Sequence, residues 1–226
     1  MLLSIALPHC PLTIRWIQYP SRPVYIILFD TGARMAAQGK HREAILAAAV
    51  RLFRQQGYAA TGLAEILEVS GAPKGSLYHY FPGGKPEIGE KAITRAGETV
   101  AATLTELAAS APNAGELVSR YFELLGGWLE QSGFRDGSPL TTTLLETVPE
   151  HEPIRRAALA AFESWGAILE AAAQRDGISA ERSKALASMA IMLIEGGMIQ
   201  CRVQRSVEPL KLAAAEAKRL FEAAQT

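Results

Sequence analysis

The sequence predicts an all-α protein: an N-terminal three-helix helix-turn-helix head followed by a helical body, about nine helices in all. Three observations carry this reading. Alanine, the strongest helix former, is abundant, while aromatic residues make up only 7%. From residue 40 onward apolar residues recur at three- and four-residue spacing. Two short helical stretches meet at Ser70, Gly71 and Ala72, a glycine-bearing corner of the length a helix-turn-helix needs.

Residues 1–34 do not share this pattern. They hold four of the twelve prolines, Pro8, Pro11, Pro20 and Pro23, which break the apolar runs into short pieces. The first run is too short to span a bilayer and has no basic residues before it. Val24 to Phe29 is strand-like in composition, but no partner strand is evident downstream. A more ordinary protein start begins at Met35, so residues 1–34 are expected to be a disordered tail or an over-extended start.

The head occupies residues 35–85. Its first helix should cover about 40–56, with Ile45, Ala48, Ala49, Leu52 and Phe53 on one face and Gly57 as its stop. Thr61 reads as the N-cap of a second helix over about 62–69, with Leu63, Ile66 and Leu67 as its apolar side. Pro73 suits the first turn of a third helix, about 73–80, because its missing N–H costs nothing there. Leu77 and Phe81, four residues apart, should turn inward.

The body, residues 86–226, is expected to hold six helices, the first being a long helix over about 85–109 that links it to the head. It is followed by helices at about 114–131, 140–148, 153–176, 180–203 and 207–224, with breaks at Pro112, Gly133, Pro149 and Gly177. The eighth helix, about 180–203, is apolar over more than one face and so must be buried on more than one face. Small residues there, Ala187, Ala190, Gly196 and Gly197, would admit a close neighbour. The eighth and ninth helices are therefore the candidate homodimer interface; the alternative is that the eighth is simply the central core helix of a single chain.

Net charge is zero, yet it is unevenly spread. Residues 35–85 carry six Lys/Arg against three Asp/Glu, and residues 86–226 carry fourteen against nineteen. A basic head on an acidic body suits a protein that grips a polyanion at one end. A helix-turn-helix would lay its second helix in the major groove, N-terminal end first. On that helix Lys74 and Ser76 can reach bases or phosphates, while Tyr78, His79 and Tyr80 present planar, hydrogen-bonding rings. Lys85 lies just beyond, placed for a phosphate.

The stretch GYAATGLAEILEVSGAPKGSLYHYFPGGK, residues 57–85, resembles the DNA-binding domain of the TetR/AcrR family. Its most characteristic run is Lys74-Gly75-Ser76-Leu77-Tyr78-His79-Tyr80-Phe81. The Ser-Gly-Ala-Pro corner and the Phe-Pro-Gly-Gly-Lys that follows resemble the LmrA/YxaF-like branch. The resemblance implies a homodimeric repressor whose third helix reads a palindromic operator on double-stranded DNA, and a cytoplasmic setting is the default for a chain whose two cysteines form no disulfide framework. It implies phosphate contacts from Thr61 and Tyr80, a reading face of Lys74, Ser76 and Tyr78, and a backbone clamp at Lys85. Pro86 departs from the family pattern, but a first helical turn tolerates it.

By the same resemblance, the body encloses a pocket for a small lipophilic or aromatic effector. Phe122, Trp128, Phe162, Trp165, Met192 and Met198 are the candidate lining, and side chains of these types serve such pockets as readily as they serve a core. Glu195, a carboxyl group within an apolar helix, is the odd residue and should find an arginine, an effector or solvent.

Other functions find little support. No nucleophile elbow, paired-carboxylate motif or metal-ligand spacing is present, so no enzyme, cofactor or metal is expected. Cys10 and Cys201 form no disulfide framework. A helical protein-interaction module, or an activator using the same head, are the alternatives.

Overall fold

The computed structural model describes the backbone of three strands within residues 4–29, the chain from Thr31 to Gln225, and side chains from Gly39 onward. The strands are β1 (Ser4–Ala6), β2 (Leu12–Gln18) and β3 (Pro23–Phe29), in an antiparallel sheet of order β1-β2-β3. Val24 pairs with Ile17 and Phe29 with Leu12. The strand-like segment thus finds its partner upstream, as a hairpin, where the sequence reading looked only downstream. Cys10 and the three prolines before β3, Pro8, Pro11 and Pro20, lie outside the described residues.

Every element from Thr31 on is a helix: α1 (Thr31–Gln56), α2 (Leu63–Ser70), α3 (Ser76–Tyr80), α4 (Gly84–Ser110), α5 (Ala114–Gln131), α6 (Pro139–Thr147), α7 (Glu152–Arg175), α8 (Ala180–Gln204) and α9 (Glu208–Ala223). The chain forms two compact units, residues 1–44 and 45–226. From residue 45 on, head and body share one unit and one continuous core from Ile45 to Phe221.

Two expected boundaries shift. α1 begins nine residues early, because Ala33, Ala36 and Ala37 favour helix and no proline intervenes. α3 begins at Ser76 rather than Pro73: residues 73–75 form a turn, with the Ser76 N–H donating to the Pro73 carbonyl at 2.9 Å and the Ser76 hydroxyl to the same oxygen at 2.6 Å. Thr61 is not an N-cap. Gly62 holds that place without a side-chain bond, and the buried Thr61 hydroxyl donates to the Gly57 carbonyl at 2.7 Å. Pro86 sits in the first turn of α4, where a missing N–H leaves no intrahelical bond unmade.

In the body, caps fix where helices start. Asn113 accepts the Glu116 N–H at 2.8 Å to open α5, and Ser138 and Ser179 do the same for α6 and α8. α4 lies tightly on α7: a Cβ at Gly97 would come within 2.6 Å of the Ala161 Cβ. The Trp165 indole N–H, buried in that seam, donates to the Gly97 carbonyl at 2.9 Å. α8 is long and apolar enough to cross a membrane by length and hydropathy. In the fold it is a core helix, packed on α5, α7 and α9.

The small residues of α8 act within the chain rather than at its surface. Ala187 and Ala190 are fully buried, and a Cβ at Gly197 would meet the Leu210 Cδ2 of α9 at 2.8 Å. Of the four expected to admit a neighbouring subunit, only Gly196 faces open space.

Candidate nucleic-acid interface and cavity

α3 is too short to be stable alone and is held by its inward residues. Leu77 and Phe81 are both buried, as their spacing requires, and they turn the opposite side outward. Tyr78 is 65% exposed, one of the most exposed large side chains described. Lys74, Gly75 and His79 are also exposed, and Ser76 is partly so. Tyr80 is half-buried against the core, its ring edge-on to His79 at 4.9 Å. Lys74, Gly75, Ser76, Tyr78 and His79 thus form one accessible surface at the start of α3.

Thr61 stands apart from that surface. Its side chain is enclosed and its hydroxyl is spent on Gly57. Lys85 is only partly free: its ammonium donates to the Ala59 carbonyl at 3.2 Å and lies 4.5 Å from the Tyr58 ring centroid. Burial pushes that ammonium below the usual lysine range, and the nearby Glu146 carboxylate partly opposes the shift.

The loop between α1 and α2 is bound directly to the body. The Ala59 N–H donates to Glu146 Oε2 on α6 at 2.5 Å. Gly57 takes φ +88°, an angle that calls for glycine, and a Cβ there would sit 2.5 Å from Glu146 Oε1, so a side chain would push that carboxylate aside. Tyr58 packs near His151, with ring centroids 6.3 Å apart, and against Gly89. A second tie lies at the end of α1, where Arg54 pairs with Asp136 at 2.8 Å and accepts the Gly137 N–H on its carbonyl at 3.0 Å.

Behind these ties lies a cavity of about 700 Å³ between α1, α4, α5, α6, α7 and α8. Of the candidate residues, Trp128, Trp165, Glu195 and Met198 line it. Three expected lining residues do not. Phe122 is buried elsewhere in the core, Phe162 packs edge-on against Trp165 at 5.3 Å, and Met192 is 66% exposed on the outer side of α8.

The polar part of the wall was largely missed. Arg54, Tyr121, Asp136 and Ser138 all line the cavity. The Thr141 hydroxyl donates to Glu195 Oε2, and Ser138 also hydrogen-bonds that carboxyl group. Burial pushes the Glu195 carboxyl above the usual range, and the two hydroxyls oppose this. Burial and the neighbouring Glu195 push the Tyr121 phenol upward as well. Arg54 Nε and Asp136 Oδ1 are buried without a hydrogen-bond partner. Their neighbours lie far away in sequence, so only the Ser-Pro helix start at Ser138 left a local trace. No group of His, Cys, Asp or Glu able to hold a metal occurs among the described residues.

Comparison with known proteins agrees with both halves. Residues 45–88 match the family described as bacterial regulatory proteins, tetR family. Residues 114–216 match the family described as transcriptional regulator LmrA/YxaF-like, C-terminal domain. The chain is 33% identical over 180 residues to the uncharacterized HTH-type transcriptional regulator YxaF of Bacillus subtilis, covering 80% of this chain and 94% of that one. It is 33% identical over 172 residues to the HTH-type transcriptional regulator LmrA of the same organism, covering 76% and 92%. Among solved structures, the reduced form of Escherichia coli NemR superposes with a TM-score of 0.66 at 27% identity, over 80% of this chain and 97% of that one.

Proposed function

Since this chain belongs to the TetR family of bacterial regulatory proteins, in the LmrA/YxaF-like branch, we propose that it is a repressor whose cavity takes a small lipophilic or aromatic effector that releases it from a palindromic operator. It is a DNA-binding transcriptional regulator of the cytoplasm and not an enzyme, and it acts on its operator as a homodimer. The observation that carries the finer reading is the arrangement of α3. Its buried Leu77 and Phe81 hold outward an accessible row of Lys74, Ser76, Tyr78 and His79.

In this reading residues 35–85 are the head and residues 86–226 the body. Lys74, Gly75, Ser76 and Tyr78 face base edges, while His79, Tyr80 and Lys85 serve the phosphates. Thr61 supports the loop from within, through Gly57, instead of touching DNA. The two subunits meet through α8 and α9. Support comes from an outward stripe on α8, Met192, Gly196, Ile199 and Val203, spaced as one helical face, with Leu212 of α9 also exposed.

An effector reaches the head by two routes. α4 is the covalent link, and α6 is a direct one, bonded to Glu195 near its first turn and to the head's Ala59 near its last. A ligand that shifts either changes the spacing of the paired heads, and a coupling of about 3 kcal/mol would lower operator affinity roughly 150-fold.

The test is selection of an operator from random duplexes by the purified protein, then an electrophoretic shift with and without candidate effectors. A two-fold symmetric site with half-sites about one helical turn apart is expected. Selection of no symmetric site would overturn the reading.

A further inference from the structure

Glu195 is the one acidic side chain that α8 turns into the cavity, and nothing of opposite charge meets it. Its carboxyl group accepts from two hydroxyls, Thr141 and Ser138, at the start of α6. Among the described residues no Lys, Arg or His forms an ion pair with it. Of the two cationic side chains that line the cavity, Arg54 is already paired with Asp136 and Arg135 is exposed. Hydroxyls orient a carboxylate but bring it no charge. A carboxylate held out of water without a cation is costly, so it either takes up a proton or waits for a positive ligand.

The rest of the wall favours the ligand. Tyr121, Trp128 and Trp165 stand around the same space, and aromatic faces attract cations once water is excluded. Asp136 Oδ1, buried and without a hydrogen-bond partner, supplies a second acceptor on the same wall.

We propose that the cavity receives an organic cation, a protonated amine or quaternary centre on an apolar frame, with Glu195 as its counter-charge. The proposal rests on the effector-cavity reading above and narrows it to one ligand class. Binding needs no bond to form or break: the cation takes the place of the proton or water on the carboxyl group. It competes with Ser138 and Thr141 for the same oxygens, so it acts on the first turn of α6, the helix whose far end holds Ala59 through Glu146.

Three probes of known charge test this on the full-length protein: Nile red as a neutral lipophile, tetraphenylphosphonium, and tetraphenylborate as a matched anion. Nile red fluorescence is titrated first, then each ion is used as competitor. Tetraphenylphosphonium should displace Nile red at least tenfold more strongly than the borate does. Glu195→Gln should remove that preference while Nile red still binds. Glu195→Asp, which keeps the charge, should preserve it, and it carries the test if the Gln variant does not fold. Equal competition by both ions, no displacement by the phosphonium, or a preference that survives Glu195→Gln would each overturn the proposal while Nile red binding keeps the cavity reading. Failure of all three probes to bind would overturn both.

Discussion

Arg54 and Asp136 form an ion pair of 2.8 Å between the last turn of α1 and the loop before α6, eighty-two residues apart in the chain (136 − 54). The pair is not fully dressed, since Arg54 Nε and Asp136 Oδ1 have no other partner. It forms part of the cavity wall and at the same time fastens the head to the body.

Breaking that pair should loosen the head without unfolding it. The side chains are 37% and 16% exposed, so water screens part of the interaction and the cost should be about 1 kcal/mol. For a chain of this size that corresponds to a melting point lower by roughly 2–4 °C. Asp136→Asn and Arg54→Gln, with the double variant, form a cycle measured by thermal melting. A coupling indistinguishable from zero would show the contact to be incidental. Operator binding by the single variants should also respond less steeply to an effector.

The surface of α3 should divide by kind of contact. Replacing Lys74, Ser76 or Tyr78 should change which operator bases are preferred, because base-edge contacts carry the sequence information. Tyr80→Phe and Lys85→Ala should weaken all operators about equally, and Lys85→Ala should lower the salt slope by roughly one. Lys85 also holds the Ala59 carbonyl, so part of its loss will come from the loop and will not depend on salt. Electrophoretic shifts over an operator panel at several salt concentrations separate the two. Uniform weakening from Tyr78→Phe would remove it from the reading face.

Local spacing made the head legible. Leu77 and Phe81 face inward because four residues return a helix to the same side, and Gly71 ends α2 at φ +64° as its place in the corner suggests. The cavity was legible only in part. α8 is apolar nearly all round, so periodicity could not tell Met198, which lines the cavity, from Met192, which faces out. It could not tell Gly197, pressed on Leu210, from Gly196 in open space either. Glu195 stood out because a carboxyl group in such a helix is anomalous. Asp136 and Arg54 carry no local signal of their pairing, since only tertiary packing joins them. Trp165 belongs to the cavity and the core at once, through its bond to Gly97.

The outward stripe of α8 should be required for dimerisation. Val203 is 79% exposed and Met192 66%, on a face with no charge among its four positions. Val203→Glu or Met192→Glu would place a carboxylate against its own symmetry mate, because a two-fold interface meets itself. The solution mass should fall from dimer to monomer by light scattering, with helicity retained. Operator affinity should drop on the order of 10²-fold or more, since a lone head loses the gain of simultaneous binding. A dimer that survives both substitutions would move the interface elsewhere.

Glu116 gives the fold a defined acid response. Its carboxylate bonds Lys218 of α9 at 3.0 Å and Arg120 one turn ahead at 3.1 Å, and it joins α5 to α9 near the end of the chain. The Lys218 and Arg120 hydrogen bonds hold the Glu116 carboxyl below its ordinary value of 4.5. A carboxyl group whose folded value is depressed binds fewer protons folded than unfolded. Its stabilisation is therefore complete above about pH 4.5 and is lost as pH falls through the lower, folded value. Lys218 behaves in the opposite sense. Its bond to Glu116 raises it above 10.5, so its share is present below that pH and fades as pH climbs through the raised value. Both ends are partly exposed, so the effect is small and sensitive to salt. Glu116→Gln should lower the melting point most between these limits. The gap from the parent protein should close toward acid pH, and it should close toward strongly alkaline pH as well. A gap that stays constant from acid to neutral pH would mean that Glu116 acts through packing and not through its charge.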